Sequence, residues 1–189
     1  MRRTRFYGPV VAGVLLGLFL TGCGGGAGPV SGDSSPVGDI PDNQVFVTYT
    51  PPPGGCTIKV PEGWTNTSHD GAVSFTDKLN TITVASTTAA TAPSEASARH
   101  DLETIKATTP GFAGGEVSTV TRPAGPGILL TYRGDAPPDP VTGKIINDDI
   151  ERYQFFHAGL AVTLTLSGPH GADNVDPWRT VTDSLSWTS

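Results

Sequence analysis

Apolar residues recur at every second position in several short stretches of this chain. Cys56, Ile58 and Val60 share one parity, while Thr57 and Lys59 take the other. That period belongs to a strand with one buried face. Val73 and Phe75, then Ile82 and Val84, repeat it on either side of residues 77–80, which predicts a hairpin. Strands are expected again at residues 116–121, 128–133, 150–157 and 160–167. The last two are joined by the tight turn Ala158-Gly159. In the final strand Leu160, Val162, Leu164 and Leu166 face one way, and Thr163 and Thr165 the other. Pro61-Glu62-Gly63-Trp64 reads as a turn. Ala136-Pro137-Pro138-Asp139-Pro140 with Gly143 reads as a long loop.

Two segments change to helical spacing. Ser94 can cap a helix, because its hydroxyl can accept an orphan N–H of the first turn. Ala98, Leu102 and Ile105 then fall on one face, and Glu95 and Arg99 form an i, i+4 pair on another. Pro110-Gly111 ends that helix. Asp176-Pro177 predicts a second start, with Asp as N-cap and Pro at N1, and Asn174 as an alternative cap. Trp178, Val181 and Leu185 would face the sheet. The second helix ends near Ser184, and Trp187 lies on a short strand or ordered tail. Hairpin strands with two helices predict an α+β domain: an antiparallel sheet with both helices packed on it.

The N-terminus follows another logic. Arg2, Arg3 and Arg5 precede an uncharged apolar run of 11 residues, 10–20. A spanning helix needs roughly 20, so the run reads as the core of a secretory signal rather than an anchor. Leu20-Thr21-Gly22-Cys23 closes it and resembles the lipobox of bacterial lipoproteins. The resemblance implies cleavage after residue 22 and diacylglyceryl modification of Cys23. One acyl chain holds a protein to a bilayer only marginally, so two or more on one cysteine are needed for durable anchoring. Residues 24–43 are rich in Gly, Pro and Ser and poor in large apolar side chains, the composition of a flexible tether. Its reach is on the order of 25 Å. The expected organisation is a signal peptide at 1–22, a lipidated linker at 23–44 and one domain at 45–189.

Charge narrows the partners. Residues 1–22 carry three arginines and no acid. Without them nine basic residues face 18 acidic ones, a formal net charge of −9. Such a chain repels nucleic acid and anionic headgroups. Membrane contact is therefore expected from the lipid anchor, on the extracytoplasmic face of the cell membrane. Cys23 and Cys56 are the only cysteines. With Cys23 lipidated, Cys56 has no intrachain partner, and the fold must rely on packing.

Val60-Pro61-Glu62-Gly63-Trp64, the helix after a Thr/Ala/Ser-rich strand end, Glu151-Arg152, Leu164-Thr165-Leu166-Ser167 and the closing segment from Trp178 to Trp187 together resemble the PsbP-like fold. Extrinsic photosystem II subunits and actinobacterial LpqN-type lipoproteins carry that fold. The resemblance spans residues 45–189. It implies a non-enzymatic binding or assembly domain, with an α/β sandwich architecture.

Candidate chemistry is sparse. Ser68-His69-Asp70 holds the residue types of a triad, but consecutive residues of an extended chain point to opposite faces, so a polar loop is expected. There is no G-x-S-x-G elbow. His69, His100, His157 and His170 show no metal-ligand spacing. Asp135, Asp139, Asp148, Asp149 and Glu151 lack a calcium-loop pattern and read as a solvated acidic rim. Cys56 is expected in the core. Asn66-Thr67-Ser68 matches a glycosylation acceptor by chance. Tyr132, Tyr153, Phe155, Phe156 and Trp64 are expected in the core, with a ligand groove as the alternative. For such a groove the candidates are Tyr132, Tyr153 and Arg152, the last either pairing with an Asp across the sheet or clamping an anion. No catalytic residue, metal or cofactor is expected. The expected function is a membrane-anchored envelope interaction domain with an envelope protein as partner. A small-ligand or lipid carrier is the alternative, and a hydrolase a more distant one.

Overall fold

The computed structural model describes residues 37–188. The expected signal peptide, Leu20-Thr21-Gly22-Cys23 and the linker up to residue 36 lie outside the described residues.

The alternating segments all form antiparallel strands. β1 (Phe46–Tyr49) and β2 (Cys56–Pro61) pair with each other, and β2 pairs on its other side with β10 (Ser186–Trp187). This makes a sheet of three strands. The other seven strands form a second sheet. They are β3 (Thr65–His69), β4 (Ala72–Asp77), β5 (Asn80–Thr88), β6 (Ala113–Arg122), β7 (Gly125–Asp135), β8 (Asn147–His157) and β9 (Leu160–Pro169). Their spatial order is β3-β4-β5-β9-β8-β7-β6. The β8–β9 turn places Ala158 at φ 48° and Gly159 at φ 85°. Two successive left-handed residues match the twist of a hairpin.

Side-chain alternation divides the large sheet. One face carries Val73, Phe75, Ile82, Val84, Tyr153, Phe155, Val162, Leu164 and Leu166. It buries them against Cys56, Ile58 and Val60 of β2 and against Trp178, Val181 and Leu185. Trp178 and Val181 belong to α2 (Val175–Asp183), and Leu185 follows it. Trp64, Phe155 and Tyr153 thus lie in the core, as does Cys56, where burial pushes the thiol up from its usual pKa.

The opposite face is covered at one end by α1 (Glu95–Thr108), whose Ala98, Leu102 and Ile105 pack on Ile128 and Leu130 of β7. Ser94 caps α1 through a reciprocal pair: its Oγ accepts the Ser97 N–H at 3.2 Å, and Ser97 Oγ accepts the Ser94 N–H at 2.9 Å. Beyond α1 this face is a row of hydroxyls, including Ser74 bonded to Thr83 at 2.8 Å. Among the described residues no helix is long and apolar enough to cross a membrane.

Three expectations need correction. First, order begins before residue 45. Ile40 is 3 % exposed and belongs to the core. Asn174 Oδ1 accepts the Ile40 N–H at 2.8 Å, while Asn174 Nδ2 donates to Gly38 O at 3.2 Å and to Asn80 Oδ1 at 2.9 Å. Asn80 Nδ2 also donates to Gly38 O, at 2.8 Å. Tertiary partners thus satisfy a backbone that has no periodicity of its own. Gly168 makes room for them, since a Cβ there would collide with Asn80 Oδ1 and lie 2.8 Å from Asn174 Nδ2.

Second, α2 starts at Val175, so Asn174 takes the N-cap position and Pro177 falls in the third helical position. Asn174 makes no side-chain cap bond, because its amide is committed to the segment at residues 38–40. Third, Ser68 and His69 belong to β3, a wholly exposed edge strand paired with β4, and not to a loop. Backbone pairing holds it, so no apolar pattern marks it.

Removing the Asn174 amide orphans the Ile40 N–H and one Asn80 oxygen. Asn174→Ala should lower stability by about 2 kcal/mol or more in urea titration, whereas Asn66→Ala on exposed β3 should stay within about 0.5 kcal/mol. Cys56→Ser would bury a hydroxyl in an apolar layer and should lose about 1–3 kcal/mol. Site-resolved mass spectrometry should find native Cys56 unalkylated until the protein unfolds.

Candidate functional site

The space between the two sheets is filled by side chains, so the openings lie at its margins. One of them, lined by Glu116, Arg133, Asp149, Glu151 and His170, is a cleft of about 450 Å³. It forms where β6, β7 and β8 run on past the apolar layer and meet the β9–α2 connection and the first turn of α2. That volume falls within the usual range for small ligands.

Register builds its floor. Glu116, Thr131 and Glu151 lie side by side on β6, β7 and β8, and Arg133 lies opposite Asp149 in the next row on that face. Trp178, 7 % exposed, and Val175 of α2 line the cleft from above. His170, just after β9, joins the row: its Nδ1 is 2.9 Å from both Asp149 carboxylate oxygens, and its Nε2 is 3.4 Å from Arg133 Nη1. Three carboxylates therefore face one guanidinium, and two of the charged side chains are bridged by an imidazole.

A carboxylate–imidazole pair is the orienting half of a hydrolytic site. Here Nε2 meets an arginine, not a hydroxyl or thiol, so the pair has no nucleophile to activate. Two other histidines fare no better. His69 meets Asp70 at 3.0 Å with both side chains exposed, and His157 stacks on Trp187 at 5.3 Å between centroids. Among the described residues no three His, Cys, Asp or Glu side chains gather as a metal site.

The three expected groove residues do not converge. Tyr153 points into the core at 2 % exposure. Its hydroxyl donates to Glu151 Oε2 at 2.8 Å and accepts from Arg122 Nη2 at 3.0 Å. Burial, helped by the Glu151 charge, pushes its pKa up to about 12, so it stays a neutral donor. Arg122 also sits 5.4 Å from the Tyr153 ring centroid and 3.5 Å from Asp183. The tyrosine therefore anchors a half-buried tie between β6 and the end of α2.

Tyr132 and Arg152 have the opposite parity. Tyr132 stacks on Phe112 at 5.7 Å and lines the cleft. Arg152 donates from Nη1 to Thr165 Oγ1 at 3.0 Å, so its partner across the sheet is a threonine instead of an aspartate. The acidic rim also divides. Asp149 pairs with His170, while Asp148 is buried at 6 % exposure instead of solvated.

The pairing of His170 with Asp149 escaped notice because the two lie 21 residues apart. The signal was present in the tight turn. A hairpin closed at Ala158-Gly159 pairs His157 with Leu160, which forces Asp149 opposite Gly168 and brings His170 to the same end.

No family model matches the chain, and no curated protein matches it by sequence. Solved structures do. Cyanobacterial PsbP (CyanoP) from Synechocystis is similar at a TM-score of 0.55 and 15% identity, covering 82% of this chain and 100% of that one. A protein from Bacteroides thetaiotaomicron is similar at a TM-score of 0.51 and 12% identity over 75% of this chain. The match takes in 48% of that protein, so this chain spans about half its length. LpqN of Mycobacterium tuberculosis, involved in cell envelope biogenesis, aligns over 78% of this chain and 93% of its own at 16% identity and a TM-score of 0.41. That superposition is too loose to carry an argument. At these identities the likeness speaks for the fold alone. The domain has a PsbP-like α+β fold, with two helices packed on antiparallel sheets.

Proposed function

We propose that this chain is a bacterial lipoprotein of LpqN type: a non-enzymatic interaction domain held by lipidated Cys23 on the extracytoplasmic face of the cell membrane. The observation that carries this reading is the order of basic residues, apolar run and Leu20-Thr21-Gly22-Cys23 in the first 23 residues. A net charge of −9 after cleavage makes a lipid the membrane contact of choice, since the protein surface repels anionic headgroups. The packed space between the sheets supports surface recognition over carriage inside the fold. The surfaces on offer are the hydroxyl-bearing sheet face beside α1 and the Pro-rich loop at residues 136–146. The partner is an envelope protein.

A second reading, a small-ligand carrier, draws on the cleft of about 450 Å³ beside α2. It differs from the interior lipid cavity expected of a carrier, because the opening is marginal and lined by Glu116, Arg133, Asp149, Glu151 and His170.

Cys23→Ala should shift the protein from the membrane fraction to the soluble fraction and leave its leader uncleaved. Labelled palmitate incorporated into that variant would refute the anchor. Crosslinking in intact cells should recover one envelope protein reproducibly with the native chain and less of it with Cys23→Ala. A small molecule co-purifying with the domain, lost in Arg133→Ala and identified by mass spectrometry, would favour the carrier.

A further inference from the structure

The Pro-rich loop roofs a second cleft, of about 430 Å³, on the sheet face that also carries α1. Its floor is a row of hydroxyls in register, Thr76, Thr81 and Ser167, with Thr76 and Thr81 bonded at 3.2 Å. Leu79, Pro137, Pro138 and Ile146 give it apolar walls. The roof is pre-formed. Asp139 Oδ1 accepts the Val141 N–H at 3.1 Å and the Thr142 N–H at 2.7 Å, and the loop closes through Ala136 N–H donating to Ile146 O at 2.8 Å.

Asp148 of β8 lines this cleft and is 6 % exposed. Its Oδ1 is buried without a hydrogen-bond partner. Buried carboxylates are ordinarily paired, so this one lacks a donor. Lys78 and Lys144 also line the cleft. Lys78 stays 80% exposed beside Asp77 at 4.0 Å, and Lys144 is exposed on the loop. Neither forms an ion pair with Asp148 among the described residues.

We propose that this cleft binds an aliphatic primary ammonium group, with Asp148 as its counter-ion and the Pro/Leu/Ile walls packing its alkyl chain. Asp139, the other carboxylate lining the cleft, is committed to the N–H groups of its own loop. One unpaired carboxylate among neutral hydroxyls suits an ammonium, which brings its own three donors. It suits a divalent cation poorly, since such ions gather several oxygen ligands. The hydroxyl row can accept the remaining ammonium N–H groups. The same chemistry comes from two sources, a free alkylamine or a lysine side chain of a protein. The site does not depend on membrane anchoring.

Occupancy is coupled to pH. Burial, with the adjacent Asp149 charge, pushes the Asp148 carboxyl up to about 6. Asp149 and its partner His170, Lys78 from the β4–β5 turn, and Lys144 and Asp139 from the loop are the charged groups around it. The folded state holds this proton more tightly than the unfolded chain. The stabilising contribution of protonated Asp148 therefore declines as pH rises from about 4 to 6 and is absent above. Asp148→Asn should fold, remove that slope and melt no lower than wild type at pH 7.

The test titrates the full-length protein with n-butylamine and follows the amide resonances of Thr81, Asp148 and Ser167 by NMR. Saturable shifts at millimolar amine are expected. With n-butanol, the neutral counterpart, they should be at least tenfold weaker, and Asp148→Asn should weaken amine binding as much. Lowering the pH from 7 to 5 should weaken it about tenfold, as the ionised fraction of a group titrating near 6 falls by that factor. Nα-acetyl-lysine methylamide binding as well as n-butylamine would identify a protein lysine as the source, and n-butylamine alone a free amine. Equal binding of the alcohol, unchanged binding in Asp148→Asn, or no saturable shift overturns the proposal. So does a rise in the Asp148 titration in Lys144→Met without amine binding to wild type, since Lys144 would then be the counter-ion.

Discussion

Two antiparallel sheets share one apolar layer, and every other feature of the domain depends on keeping that layer dry. Fully burying a side chain such as Leu164 or Phe155 is worth about 1.5–3 kcal/mol. A threonine pair across the open face is worth about 0.2–1 kcal/mol. The buried face therefore decides the register of the whole sheet, and the hydroxyl face follows it. Cys56 is a free cysteine inside this layer, so its sulfur serves packing and not a covalent staple. The Tyr153 hydroxyl, which enters the layer, is tied off by Arg122 and Glu151.

The same constraint explains where chemistry can reside. A filled layer leaves no interior site, so polar side chains collect where strands outrun their cover. β7 and β8 do so at the end carrying Arg133 and Asp149, and the cleft beside α2 results. On the other face α1 packs on the β6–β7 side and reaches β8 through Asp101, which accepts from Gln154 at 2.9 Å. The Pro-rich loop covers another part, and Asp148 is trapped under it with an unpaired oxygen. Both clefts are thus consequences of mismatched lengths between strands and the elements that cover them.

Much of the architecture was legible in the residue pattern. The alternation from Cys56 to Val60, the hairpins around residues 77–80 and 158–159 and the helical face Ala98, Leu102, Ile105 all read correctly, since each depends on local period and turn chemistry. β3 did not, because residues 65–69 are polar on both faces and are held by pairing with β4 alone. The opposed directions of Tyr153 and Arg152 followed from parity, yet parity could not say that Arg152 meets Thr165. Asp148 read as solvated because nothing in its neighbours announces the loop that roofs it.

What the sequence by itself determined is the two helices, most of the strands and the inward and outward parity of the strands that alternate. All are local: a side-chain period, a turn or a short motif carries each one. The tertiary structure alone decided that β2 leaves the large sheet to pair with β1 and β10. It also decided that Asn174 serves residues 38–40 instead of capping α2, and that Asp149 meets His170 while Asp148 meets no partner. These outcomes depend on which of several equally compatible polar and apolar surfaces come together. Burial energy selects among them only when the whole layer closes.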